Sequence, residues 1–153
     1  MDVLPAVVTA CAGFLIAVLW MDLMFDVQVL AHRRVDVLPE PVLTSIARYY
    51  RRVTTTARPM GHMIAAVMAI MLLALGFRAV SAHDPRWLTA VSAMLAVGPV
   101  LLALFRTVPN AVRLGKRTSS TVEQSRLARS VCADHLACLA CESAFLAVWL
   151  CAL

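Results

Sequence analysis

The chain has 153 residues, 61% of them hydrophobic, with a mean hydropathy of +0.81 and a formal charge of +5. A soluble domain is nearer half apolar, so this composition excludes an ordinary water-soluble enzyme. The positive charge does not point to nucleic acid either, because the arginines flank apolar blocks, where they suit anionic headgroups.

Four apolar blocks follow one another: about Val3–Ala31, Met60–Phe77, Trp87–Phe105 and Val131–Leu153. Each approaches or exceeds the ~20 helical residues that cross a hydrocarbon core. A helix satisfies its own backbone there, so the expected class is all-α. The expected architecture is a polytopic membrane protein, an antiparallel bundle of four transmembrane helices forming a single domain over residues 1–153. The first block is read as a span and not as a cleaved leader. Its only early charge is Asp2, and its apolar stretch exceeds a leader's.

The first block ends in "MDLMFD", residues 21–26, which carries Asp22 and Asp26. Helical pattern is expected to run on until Pro39 and Pro41 stop it. "TSIARYYRRV" then sets Ile46, Tyr49, Tyr50 and Val53 at helical spacing among arginines, which predicts a short interfacial helix. "SAHDPRW" is a short turn that makes spans two and three a hairpin, with Trp87 as an interface anchor. Gly98-Pro99 predicts a kink in span three. "TVPNAVRLGKRTSS" reads as a connection rich in turn residues, after which Ser120 or Ser125 would cap the last helix.

Charge sets the topology. The first and third connections hold six Lys or Arg each, whereas the second holds only Arg78 and Arg86. The positive-inside rule makes the first and third connections cytoplasmic and puts both termini outside. A single lysine among many arginines, with abundant Ala and Val, suits a GC-rich bacterial genome, hence an inner membrane. Small residues at Gly13 and Ala17 would allow close contact between helices and a homo-oligomer. The five cysteines, Cys11, Cys132, Cys138, Cys141 and Cys151, all lie in apolar blocks and read as small hydrophobes. Mid-helix placement argues against redox work by the Cys138–Cys141 pair.

That topology brings acids and imidazoles to one level. Asp22 and Asp26 lie in the cytoplasmic half of span one, His62 opens span two, and Asp134 and His135 open span four. Glu142 lies roughly 10 Å deeper, at 1.5 Å per residue. Asp22 and Asp26 differ by about 40° around the helix, and Asp134, His135, Cys138, Cys141 and Glu142 share an arc of about 120°. An acid facing lipid costs a few kcal/mol, so these stripes are expected to face each other.

Three readings of the cluster stay open. In the first, the acids are packing pairs for interface arginines such as Arg33, Arg58 and Arg129. In the second, Asp22, Asp26, His62 and His135 bind a divalent metal, or the bundle holds haem, although no Glu-x-x-His repeat is present. In the third, no cofactor is needed. An acid–base pocket acts on a hydrophobic small molecule, with His135 as general base and Asp22 or Asp26 orienting it. The class that competes with an enzyme is a non-enzymatic membrane subunit or a small proton-coupled transporter. Membrane lipid is the partner common to all of them.

"VPNAVRLG", with Pro109, Asn110 and Arg113, and then "ARSVCADHLACL", with His135, resemble the anthrone-oxygenase-like family of small four-helix membrane proteins. The resemblance covers the C-terminal third; "MDLMFD" and "YYRRVTT" lie outside it. It implies a four-helix fold and cofactor-independent oxygenation of aromatic polyketide-type substrates, with Asn110, Arg113 and His135 as the matching positions.

Overall fold

The computed structural model describes residues 3–81 and 85–152. Asp2 and the centre of the "SAHDPRW" turn, including His83, lie outside those residues. Among the described residues every regular element is helical: α1 (Leu4–Asp26), α2 (Gln28–Ala31), α3 (Glu40–Thr54), α4 (Arg58–Val80), α5 (Arg86–Leu102), α6 (Val108–Lys116) and α7 (Thr121–Ala152). A π-helical segment, Ala103–Thr107, joins α5 to α6. Four stretches are long and apolar enough to cross a membrane: Leu4–Ala31, Arg58–Val80, Arg86–Lys116 and Thr121–Ala152. Leu73, Phe105, Met94 and Val80 turn outward and are more than two-thirds exposed, as lipid-facing side chains would be.

The long helices pack α1 on α4 and α7, and α5 on α7 and α4. Their contacts run in opposite senses. Early α1 residues (Val8, Ala12, Leu15) meet late residues of α4 (Met71, Ala74) and of α7 (Phe145, Trp149). Arg78, also buried at that end, lies over the Trp149 ring at 5.2 Å.

A second apolar cluster forms at the arginine-rich end. Val29, Leu38, Leu43, Ile46, Tyr50, Ala111, Leu114, Leu127, Ala128 and Val131 make it up. The amphipathic helix expected on the membrane surface is α3. Its apolar face is spent on α6 and α7 and not on lipid. Leu43 and Ile46 are 1% and 0% exposed, and burying each contributes roughly 1.5–3 kcal/mol. Gly115 permits this docking: a Cβ there would sit 2.8 Å from the backbone N of Arg51.

Three boundaries differ from the sequence reading. The first span ends with α2 at Ala31, well before Pro39. The Arg129 guanidinium donates to the carbonyls of His32, Val35 and Asp36, and Leu38 N–H donates to Ser125 Oγ, so side chains of α7 tie down the open segment. Pro39 and Pro41 instead start α3, where a missing N–H costs nothing. The third connection is also helical through Lys116, so turn residues are confined to Arg117–Ser120. Arg117 ends α6 in the left-handed conformation, φ 52°, and its guanidinium spans both oxygens of Glu40 at 2.9 and 3.0 Å. That bond holds the Glu40 carboxyl below its usual range. The last helix begins at Thr121, ten residues before the apolar block, and Ser120 Oγ accepts from Glu123 N–H at 3.3 Å.

Pro99 lies inside α5, and the π-helical turn follows it. Proline removes an N–H from the ladder. Past it the turns widen, and Thr107 Oγ1 donates to the Leu102 carbonyl at 3.3 Å. Wide turns of this kind recur at functional sites.

Candidate functional site

Three helices converge between the two apolar clusters. α1 presents Asp22 and Asp26, α3 presents Tyr49 and Tyr50, and α7 presents His135. Asp26 is 0% exposed. Its carboxylate accepts from the Tyr50 hydroxyl at 2.8 and 2.7 Å and from His135 Nδ1 at 2.7 Å. That last contact orients the ring: with Asp26 ionised the proton sits on Nδ1, and Nε2 of a neutral imidazole is then an acceptor. Nε2 lies 3.9 Å from Asp22 Oδ2, too far for a hydrogen bond and near enough to share a small polar group. The Tyr49 hydroxyl donates to Asp22 Oδ1. Phe25 stacks on the Tyr49 ring at 4.1 Å and 12°, which sets the phenol's position.

Asp22, Tyr50 and His135 form one wall of a cavity of about 530 Å³. That volume is in the range of small-molecule sites. The other walls are mostly apolar: Leu15, Val18 and Leu19 from α1, Ile64, Ala65 and Met68 from α4, and Pro99, Ala103 and Leu104 from α5 and the π-helical segment. Small residues and a proline keep it open, because Gly61, Ala65 and Ala103 do not fill the gap between α4 and the third span. Gly61, His62 and Ala65 on α4, with Leu104 and Val108 opposite, line the cavity and are exposed on the outer surface. The cavity thus opens sideways between helices.

Of the acids and imidazoles singled out in the sequence, Asp22, Asp26 and His135 meet directly. His62 lines the same cavity from its mouth, with Arg58 beside it. Glu142 lines it deeper and is 1% exposed. Asp134 turns away from the cavity, to Arg106 at 2.9 Å and to the Thr107 hydroxyl at 3.2 Å. Of the packing pairs expected with interface arginines such as Arg33, Arg58 and Arg129, Asp134 makes one, with Arg106, while Asp22 and Asp26 have different partners. Asp22 and Asp26 bind phenols and imidazole, Asp134 binds Arg106, and Arg129 binds carbonyls. Asn110 and Arg113 do not reach the cavity. Asn110 donates to Ser130 at 3.2 Å, and Arg113 pairs with Glu123 at 3.0 Å on the outside. The face of α6 that turns inward carries Ala111 and Leu114.

Among the described residues no three His, Cys, Asp or Glu side chains are grouped as a metal would require. The set Asp22, Asp26, His62 and His135 is therefore not assembled as ligands. Asp26 and His135 Nδ1 are already bonded to each other, and His62 sits at the mouth. All five cysteines are free. Cys11, Cys132 and Cys138 are buried, whereas Cys141 is half-buried and Cys151 exposed.

The tyrosines are the site residues that sequence reading assigned to lipid headgroups. Burial first, and then the hydrogen bond and charge of Asp22, push the Tyr49 phenol well above the ordinary tyrosine range. For Tyr50 burial acts first, and the charges of Asp26 and Asp22 next. Unfolded tyrosine ionises near pH ~10, so the stability these groups contribute is whole below about pH 10 and is lost as pH rises beyond it. The chain has only these two tyrosines, which makes phenolate absorbance an unmixed probe. Folded protein in detergent should show none at pH ~10.5, with both phenols ionising together on unfolding. Titration of either near pH ~10 in the folded state would contradict the buried network.

Comparison with protein-family models, with curated proteins and with solved structures gave no match.

Proposed function

We propose that the chain is a multi-pass enzyme of a bacterial inner membrane, an antiparallel four-helix bundle with both termini outside and α3 at the cytoplasmic face. It performs acid–base chemistry on a hydrophobic small molecule that enters from the bilayer. One observation carries the reading: an imidazole fixed by a fully buried carboxylate stands beside a second carboxylate on the wall of a ligand-sized, otherwise apolar cavity.

In this reading His135 Nε2 removes a proton from the bound substrate. Asp26, itself held by Tyr50, stabilises the imidazolium that forms. Asp22, held by Tyr49, binds the substrate's polar group or takes the proton onward. Such base catalysis contributes about 10²–10⁴ in rate. The resemblance to the anthrone-oxygenase-like family makes the substrate an aromatic, enolisable molecule and dioxygen the co-reactant of the following step. The geometry supports His135 in that role better than Asn110 and Arg113, which are bonded elsewhere.

Anthrone supplied in detergent, with oxygen uptake as the readout, tests this. Asp22→Asn and His135→Gln should each lower turnover at least ~100-fold while folded yield stays at the wild-type level. Loss of folded protein in Asp22→Asn, with no loss of specific activity in what remains, would instead make Asp22 a packing residue. Metal analysis and an absorption spectrum of the purified protein separate this reading from the metal and haem alternatives.

A further inference from the structure

The reading above uses the end of the cavity that holds His135 and leaves Glu142 without a task. Glu142 is 1% exposed, and its Oε2 has no hydrogen-bond partner. Buried carboxyl oxygens are seldom left unpaired, because desolvation is then uncompensated. This one lines the cavity.

Its depth follows from the helix pairing. Asp22 of α1 faces His135 of α7, and Thr107 faces Asp134. α1 and the third span both run opposite to α7, so moving on seven residues brings Glu142 level with Leu15 and close to Pro99. Both also line the cavity. The distance along α7 from His135 to Glu142 is about 10 Å. His135, Cys138 and Glu142 stand on one stripe of the helix and share that wall.

We propose that Glu142 is a second anchoring point, a buried one on the wall away from His62, for a hydrogen-bond donor on the ligand. The ligand class is an elongated apolar molecule with a hydroxyl or N–H group about 10 Å from the group that meets His135. Glu142 sets specificity by length: a molecule lacking the distal donor leaves the carboxyl unpaired and binds more weakly. This rests on the cavity being the ligand site, as proposed above, but not on the reaction assigned to His135.

Two probes test it, a biphenyl with a para-hydroxyl on each ring and the biphenyl with only one. Their binding is read as the shift each gives in thermal stability of the detergent-solubilised protein. Wild type should prefer the dihydroxy compound by about tenfold in affinity. Glu142→Leu should erase that preference, and should melt above wild type without ligand because the unpaired carboxyl is gone. Glu142→Gln keeps the size and should reduce the preference in case the leucine variant fails to fold. If wild type binds both probes equally, or the preference survives in Glu142→Gln and Glu142→Leu alike, the anchor is overturned while the cavity site stands. If wild type binds neither, both proposals fall. A ligand-free Glu142→Leu protein that melts below wild type would make Glu142 a structural residue and overturn the anchor alone.

Discussion

Replacing Asp26 by alanine should destabilise the protein by about 2–5 kcal/mol, the cost of leaving the Tyr50 hydroxyl and the His135 N–H buried without an acceptor. The melting temperature in detergent should fall by on the order of 10 °C. Asp26 has no exposed surface, and three hydrogen-bond contacts, two from Tyr50 and one from His135, end on its two oxygens. Without the carboxylate, the phenol and the imidazole N–H are left buried and unmet. Asp26→Asn retains one acceptor oxygen but turns an amide N–H₂ toward part of the same network, so it should lie between alanine and wild type. Asp22 provides the contrast. Its side chain is 17% exposed and faces the cavity, so Asp22→Asn should cost less than about 1 kcal/mol. Thermal denaturation of the three variants followed by far-ultraviolet circular dichroism decides it. Equal stability of Asp26→Ala and wild type would show that the network is not what joins α1, α3 and α7.

The helices and the meeting of Asp22, Asp26 and His135 were legible in the sequence for physical reasons. A ~20-residue apolar run has few alternatives to a spanning helix, and a carboxylate in such a run must face inward. The helical spacing then says which acids share a face. Legibility ended where a partner comes from far along the chain. Tyr49 and Tyr50 look like headgroup anchors because aromatic residues beside arginines suit an interface. Only the fold shows that α3 docks inward on α6 and α7. Apolar blocks also understate helix length. α6 and the first ten residues of α7 are polar on their outer faces and look like connection in the sequence, yet Ala111, Leu114, Leu127 and Ala128 give them an inward stripe. Asn110 and Arg113 belong to a motif, and a motif does not say which way its residues face. Ala111 and Leu114 occupy the inward side of that short helix, which turns its neighbours outward.

The cavity persists because the two apolar clusters pack on either side of it. One closes the bundle around Phe145 and Trp149, and the other docks α3 on α6 and α7. The level between them is occupied by groups that pack poorly in hydrocarbon: two carboxyls, an imidazole, a proline and a π-helical turn. A sequence selected only for stability would fill that level with leucine. The departure from that rule is concentrated on the helices that line one space, which is the expected pattern when local stability is given up for a site.

Gly115→Ala should destabilise the protein by about 1–3 kcal/mol, although the same change on an open helix face is favourable by up to about 1 kcal/mol. The difference lies in what a Cβ would meet. At Gly115 it would stand 2.8 Å from Arg51 N, 3.0 Å from Arg51 Cα and 3.1 Å from the Tyr50 carbonyl carbon. These are backbone atoms and cannot rotate aside, so α3 must move away from α6. Tyr50 is at the point of contact and Tyr49 precedes it, so the displacement loosens both hydroxyls from Asp26 and Asp22. Gly115→Ala should therefore melt lower and also let its tyrosines ionise closer to the ordinary value near pH ~10 while still folded. Gly13→Ala is the control, since nothing lies within 4 Å of a Cβ there; it should melt at or above wild type and leave the tyrosine titration unchanged. If Gly115→Ala lowered stability but left the phenols as resistant to base as in wild type, the docking of α3 and the geometry of the site would be independent, and the close approach at Gly115 would serve packing alone.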